Sequence, residues 1–150
     1  QNSFSFEKGE MNNSVWSKLD KSMNHYFEKK KTNRSLDNLF EKVAKEIMAT
    51  YPICTTVANT YRFSEGEAVR YYATLTIQAS HVVCKEHFTD NVTDKVGSGD
   101  CFMGGLIFGT LQADFTFEQV INFAASAAFG KLQEVGDYTK QSIPLIKSRY

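Results

Sequence analysis

"TDKVGSGDCFMGGLIFGTL", residues 93–111, decides how the rest of this chain is read. Two glycines bracket a serine, an aspartate follows, and an apolar run of helical character begins at once. A helix N-terminus leaves main-chain N–H groups without partners and carries partial positive charge. Glycines let the backbone come close to an anion and adopt positive φ. Gly97, Ser98 and Gly99 are therefore suited to hold phosphate oxygens through their amides. Asp100 is the odd member, because a carboxylate repels a phosphate. It makes sense beside one if it takes the proton from a hydroxyl that attacks the phosphorus. Phosphoryl transfer is mostly positioning and charge neutralisation, with a base to orient the nucleophile. Four residues alone also read as a flexible turn and a helix cap, so the rest of the chain has to choose.

The bulk composition narrows the choice. The chain has 150 residues, enough for one domain with a real core. Hydrophobic residues make up 42% and charged residues 23%, as in an ordinary globular domain. Seventeen basic and seventeen acidic residues cancel. That balance argues against nucleic acid as a partner. The basic cluster Lys29, Lys30, Lys31 and Arg34 reads as a solvated helix end. Three cysteines at wide spacing, Cys54, Cys84 and Cys101, describe no disulfide framework. Reduced thiols point to the cytoplasm. The polar opening "QNSFSFEKGEMNNSVW" reads as carrying no secretory signal, and its first residue is Gln, as in a piece of a longer chain. No run approaches the roughly 20 apolar residues that span a bilayer, so no membrane partner is expected. The sequons at Asn12, Asn33 and Asn91 then read as chance.

Along the chain, residues 1–35 are a polar segment without an assignable task. Within it "SVWSKLDKSMNHYFEKK" has an amphipathic pattern carried by Val15, Leu19 and Met23. "SLDNLFEKVAKEIMATY" predicts a helix, with Leu36, Leu39, Phe40, Val43, Ile47 and Met48 on one face, Ser35 as N-cap and Pro52 as stop. "ICTTVANTYRF", the turn "SEGE" and "AVRYYATLTI" predict a hairpin, and "SHVVCK" a further short strand. A helix over about 101–112 follows the glycine loop. "TFEQVINFAASAAFGKLQ" predicts a second, with Thr116 as N-cap. Strands that feed a glycine loop and then a helix belong to α/β architecture.

At greater length the opening stretch is far more specific. Asp94, Gly97, Gly99, Asp100, Phe102, Gly104 and Gly105 together resemble the C-terminal signature of the PfkB (ribokinase-like) carbohydrate kinases. Lys95 stands where that signature carries Thr, and Ser98 where it more often carries Ala. "FAASAAFGKLQEVGD", residues 123–137, is similar to the helix and turn flanking the family's adenine pocket. "NTYRFSEGEAVRYYATL" is similar to the hairpin of the 2-keto-3-deoxygluconate kinase branch, although the family's usual Gly-x-x-Gly element is missing there. The resemblance covers residues 36–150. It implies the C-terminal part of a three-layer α/β/α fold and Mg-ATP as phosphoryl donor, the magnesium held through phosphate and water rather than by a protein cage. The implied partner is a sugar or sugar acid. It also implies Asp100 as catalytic base, an anion hole from the amides of Gly97, Ser98, Gly99 and Asp100, and nucleotide contacts near Arg62, Ala125 and Ser126. Family members are substantially longer. Their first part supplies most of the central sheet and the sugar-binding residues, so a chain like this one has an open sheet edge for a second copy or for the missing half.

Other motifs read more plainly. His81, Cys84 and His87 have metal-like spacing, but a strand alternates them and no Cys pair completes a zinc site. Cys101 stands at a helix start, where a thiolate is favoured, yet a small apolar filler is the simpler reading. Gly105 and Gly109 predict close packing of their helix on a sheet. Two functional classes stay open. One is a sugar or sugar-acid kinase of which this chain is the nucleotide half. The other is a truncated, non-catalytic homologue that serves as an interaction or regulatory module.

Overall fold

The structure, a computed structural model, describes residues 33–150. The amphipathic pattern expected over residues 14–30 lies outside the described residues. The first helix, α1, runs Asn33–Thr50 and buries Phe40, Ala44 and Met48 at i, i+4 and i+8. It begins two residues before Ser35, which therefore lies within the helix rather than capping it. Pro52 sits just beyond its end, where a residue without an N–H cannot extend the ladder.

Strands β1 (Thr56–Glu65) and β2 (Ala68–Ile77) pair antiparallel from Thr56↔Ile77 to Glu65↔Ala68. A two-residue turn joins them, and Gly66 takes the positive φ of 67° that such turns need. The other edge of β2 carries two short strands. β3 (Ser80–Val83) pairs near the end of β2, and β4 (His87–Thr89) pairs near its start through Tyr71↔His87 and Val69↔Thr89. β4 is too short to leave a pattern in the sequence, and none was expected there.

β2 is central and is buried continuously over residues 71–76, because both faces of the sheet are covered. Tyr72 lies opposite Tyr61, and α1 covers that face by stacking Phe40 on Tyr61 at 4.0 Å. Tyr71 points the other way and lies opposite His87. The helix α3 (Phe117–Lys131) covers this second face, with Phe129 stacked on His87 at 4.7 Å. Helix, sheet and helix thus form the expected three layers. The core between β2 and α3 includes Leu75, Ile121 and Leu132, at 2%, 0% and 0% exposure. Each such side chain stabilises the fold by about 1.5–3 kcal/mol.

The helix α2 (Ser98–Thr110) starts three residues earlier than the sequence predicts, so the glycine loop itself forms its first turn. It packs on α3 rather than on the sheet. A Cβ on Gly105 would lie 2.8 Å from Ala124 Cα, and one on Gly109 would lie 3.2 Å from Val120 Cα. The two glycines therefore serve a helix–helix crossing, which corrects the expectation of packing against strands. Thr116 caps α3 as expected. Its hydroxyl accepts from Gln119 N while Gln119 Oε1 accepts from Thr116 N, a reciprocal capping box. A short helix, α4 (Ile143–Lys147), closes the chain with Pro144 in its first turn.

Candidate active site

The loop between β4 and α2 is strapped to the turn that follows α3. Thr93 N and Asp94 N both donate to Leu132 O, at 2.7 and 3.2 Å. The Asp94 carboxylate accepts from Val96 N through Oδ1 and from Gly136 N through Oδ2, both at 3.0 Å. Those main-chain donors hold its pKa below the usual carboxylate range. Gly97 then turns left-handed, with φ 76° and ψ −5°. A Cβ there would run into the main-chain carbonyl of Asp137. Only glycine meets both demands, so this residue locks two loops against each other.

Ser98 is buried and its hydroxyl donates to Lys95 O at 3.1 Å. Its side chain braces the loop and its amide is left for other work. The first ladder bond of α2 is Cys101 N to Gly97 O at 2.9 Å. The amides of Ser98, Gly99 and Asp100 precede it and have no acceptor within the helix. No side chain caps this helix start. Asp100 is solvent-exposed in the same turn. The arrangement is an open, partly positive helix end with one carboxylate at its rim. It suits an oxyanion whose partner must lose a proton.

The other expected residues are placed differently. Arg62 is exposed on β1, opposite Tyr71, and belongs to the hairpin rather than to the loop cluster. Ala125 and Ser126 are both 0% exposed within α3. The Ser126 hydroxyl meets His87 Nε2 at 3.3 Å. A base reaches neither side chain without opening that packing, because this face of α3 is spent on the sheet. His81 and His87 project from opposite faces of the sheet, His81 onto Thr76 at 2.7 Å and His87 onto α3. Cys84 Sγ accepts from Ala73 N at 3.0 Å, and burial pushes its thiol up to about 12. The three therefore form no ligand set, and among the described residues no group of three or more His, Cys, Asp or Glu side chains is placed to hold a metal ion. Burial also raises the Cys101 thiol, which argues against a thiolate at that helix start. Sequence reasoning missed the Asp94–Gly136 strap and the complete burial of Lys131, at 0% exposure. The strap depends on a contact between segments 42 positions apart in the chain. Among the described residues no helix is long and apolar enough to cross a membrane.

Solved structures share this architecture. The chain is similar to 2-dehydro-3-deoxygluconokinase from Thermotoga maritima, at 28% identity and TM-score 0.66, over 73% of this chain and 32% of that one. It is similar to a PfkB family carbohydrate kinase from Listeria grayi, at 20% identity and TM-score 0.67, over 71% of this chain and 33% of that one. A structure from Enterococcus faecalis, provisionally described as a 2-keto-3-deoxygluconate kinase, matches at 18% identity and TM-score 0.63, over 71% and 31%. The chain has the mixed α/β fold of ribokinase-like kinases, and it spans about a third of the length of the structures it matches. No protein-family model matches it, and neither does any curated protein.

Proposed function

We propose that residues 36–150 are the nucleotide-binding part of a PfkB-type carbohydrate kinase. The reaction moves the terminal phosphoryl group of Mg-ATP to a hydroxyl of a sugar or sugar acid. The observation that carries this reading is the first turn of α2, where a left-handed Gly97, three unpaired amides and an exposed carboxylate occur together on a fold shared with sugar kinases. The likeness to 2-dehydro-3-deoxygluconokinase, the stronger of these matches by identity, makes 2-keto-3-deoxygluconate the leading candidate.

In this reading the amides of Ser98, Gly99 and Asp100 donate to the oxygens of the transferred phosphoryl group. Gly97 lets the loop approach closely, and Asp94 holds the loop in register through Gly136. Asp100 takes the proton from the attacking hydroxyl. A weak base serves, because the proton leaves late in a loose transition state. ATP supplies the phosphoryl group, and its magnesium offsets phosphate charge. The amides at the loop would meet phosphate oxygens, and the magnesium would arrive with the nucleotide, held through phosphate and water.

The test is calorimetric titration of the 150-residue chain with Mg-ATP, alongside circular dichroism to establish that it is folded. Saturable binding is the expected result. In the complete enzyme, Asp100→Asn keeps ATP affinity and lowers turnover by about 10²–10⁴. Full turnover in that variant would remove the base assignment. The second reading is a non-catalytic interaction module built on the same fold. A folded chain that binds no ATP would bring that reading forward.

A further inference from the structure

Lys131 is the last residue of α3 and is fully buried, at 0% exposure. A lysine at a helix C-terminus is favoured by the helix dipole, but an exposed ammonium collects that benefit without being desolvated. Complete burial of an ammonium is unfavourable and needs a further reason. The Lys131 Nζ donates to Glu134 O at 2.8 Å, within the turn that follows its own helix. That turn is the one to which the glycine loop is strapped, through Leu132 O, Gly136 N and the close approach of Gly97 to Asp137. The next residue, Leu132, accepts through its main-chain oxygen from Thr93 N and Asp94 N, which sets this helix end against the glycine loop. There the Lys131 charge adds a smaller part to the lowering of the Asp94 carboxylate, behind the Val96 and Gly136 amides, and offsets part of the burial that raises the Cys101 thiol. A buried charge is little screened by water or salt.

We infer that Lys131 is a positioning residue for the phosphate cradle, a fixed positive charge behind the loop that draws the nucleotide phosphates to the amides of Ser98–Asp100 and holds the 131–137 turn against them. It touches no phosphate, and it acts through the loop and the helix end. The inference rests on the kinase reading for the identity of the anion, but the placement of the charge can be tested without it.

Cys101 is the internal reporter. The charged groups acting on it are Lys131, which favours the thiolate, and Glu134 and Asp100, which oppose it. The experiment measures the pH profile of iodoacetamide alkylation at Cys101, read site by site by mass spectrometry. It compares the 150-residue chain with Lys131→Met, with Lys131→Gln (which keeps an N–H donor without charge) and with Lys131→Arg. Mg-ATP and adenosine are titrated against the same proteins. The expected result is a Cys101 midpoint at least about half a pH unit higher in the two neutral variants and restored in Lys131→Arg. ATP affinity falls about tenfold or more in the neutral variants while adenosine affinity is unchanged. A Cys101 midpoint that ignores the charge in folded variants overturns the inference, as does equal loss of ATP and adenosine. If the wild-type chain binds no ATP, the kinase reading fails, and the Cys101 profile alone still decides whether the Lys131 charge faces the loop. Should one neutral variant not fold, the other carries the comparison.

Discussion

At the scale of single residues, the glycines of the loop divide by what surrounds them. Gly97 has a positive φ and the Asp137 backbone against its Cα, whereas a Cβ on Gly99 would meet open space. Gly97→Ala is expected to lower stability by more than about 1 kcal/mol, measured by urea denaturation. Gly99→Ala is expected to stay within about 0.5 kcal/mol in the same assay. On the proposed kinase reading it is nevertheless expected to weaken Mg-ATP binding, because a methyl group would occupy open space beside the amides assigned to the phosphate. An equal stability loss in both would contradict the division. The sequence carried the motif plainly, since Gly97, Gly99 and Asp100 are contiguous. It could not tell which glycine is needed for folding and which for access. That difference comes from Asp137, forty residues downstream of Gly97.

At the scale of elements, α2 and α3 form the block that presents the site. Their close crossing depends on Gly105 and Gly109. Gly105→Val is expected to push α2 off Ala124, with a loss of about 1–3 kcal/mol from overpacking. Gly104→Ala meets nothing within 4 Å and is expected to be neutral or to gain up to about 1 kcal/mol from helix propensity. Thermal denaturation of the pair distinguishes a packing role from a backbone one. Thr116→Ala removes one half of the capping box and is expected to cost about 1 kcal/mol. Hairpin, helix periodicity and this cap were legible from local pattern, because each is a relation between residues a few positions apart. The surface on which α2 packs was not legible, since a small-residue stripe fits a sheet and a helix alike.

At the scale of the whole molecule, His87 ties the sheet to α3. It is stacked on Phe129 and hydrogen-bonded to Ser126. Burial lowers its pKa to about 4, helped by the positive charges of Lys85 and Arg149. The unfolded chain therefore binds the proton more readily than the folded one. Stability is fully present above the ordinary histidine value of about 6.5 and falls as the pH drops from there toward 4. His81, whose pKa is lowered chiefly by burial, adds in the same direction. Urea denaturation between pH 7 and 4 is expected to lose on the order of 2 kcal/mol from His87, and the slope should flatten in His87→Asn. A slope unchanged by that substitution would show that other groups set it. The second cover of the sheet, α1, meets it through Phe40 on Tyr61. Between them the two helices account for the unbroken burial of residues 71–76 in β2.

The sequence by itself determined every described element except β4 and the short α4, the α/β class and the glycine loop with its carboxylate, because periodicity, turn chemistry and a contiguous motif are local properties. The tertiary structure alone decided that Ala125 and Ser126 face the core, that His81 and His87 lie on opposite faces of the sheet, and that Asp94 and Gly97 join one loop to another. The physical reason is the same in each case. Burial and hydrogen-bond partners are set by segments that meet only when the sheet is covered on both faces, and a side chain's chemistry follows from that company rather than from its neighbours in sequence.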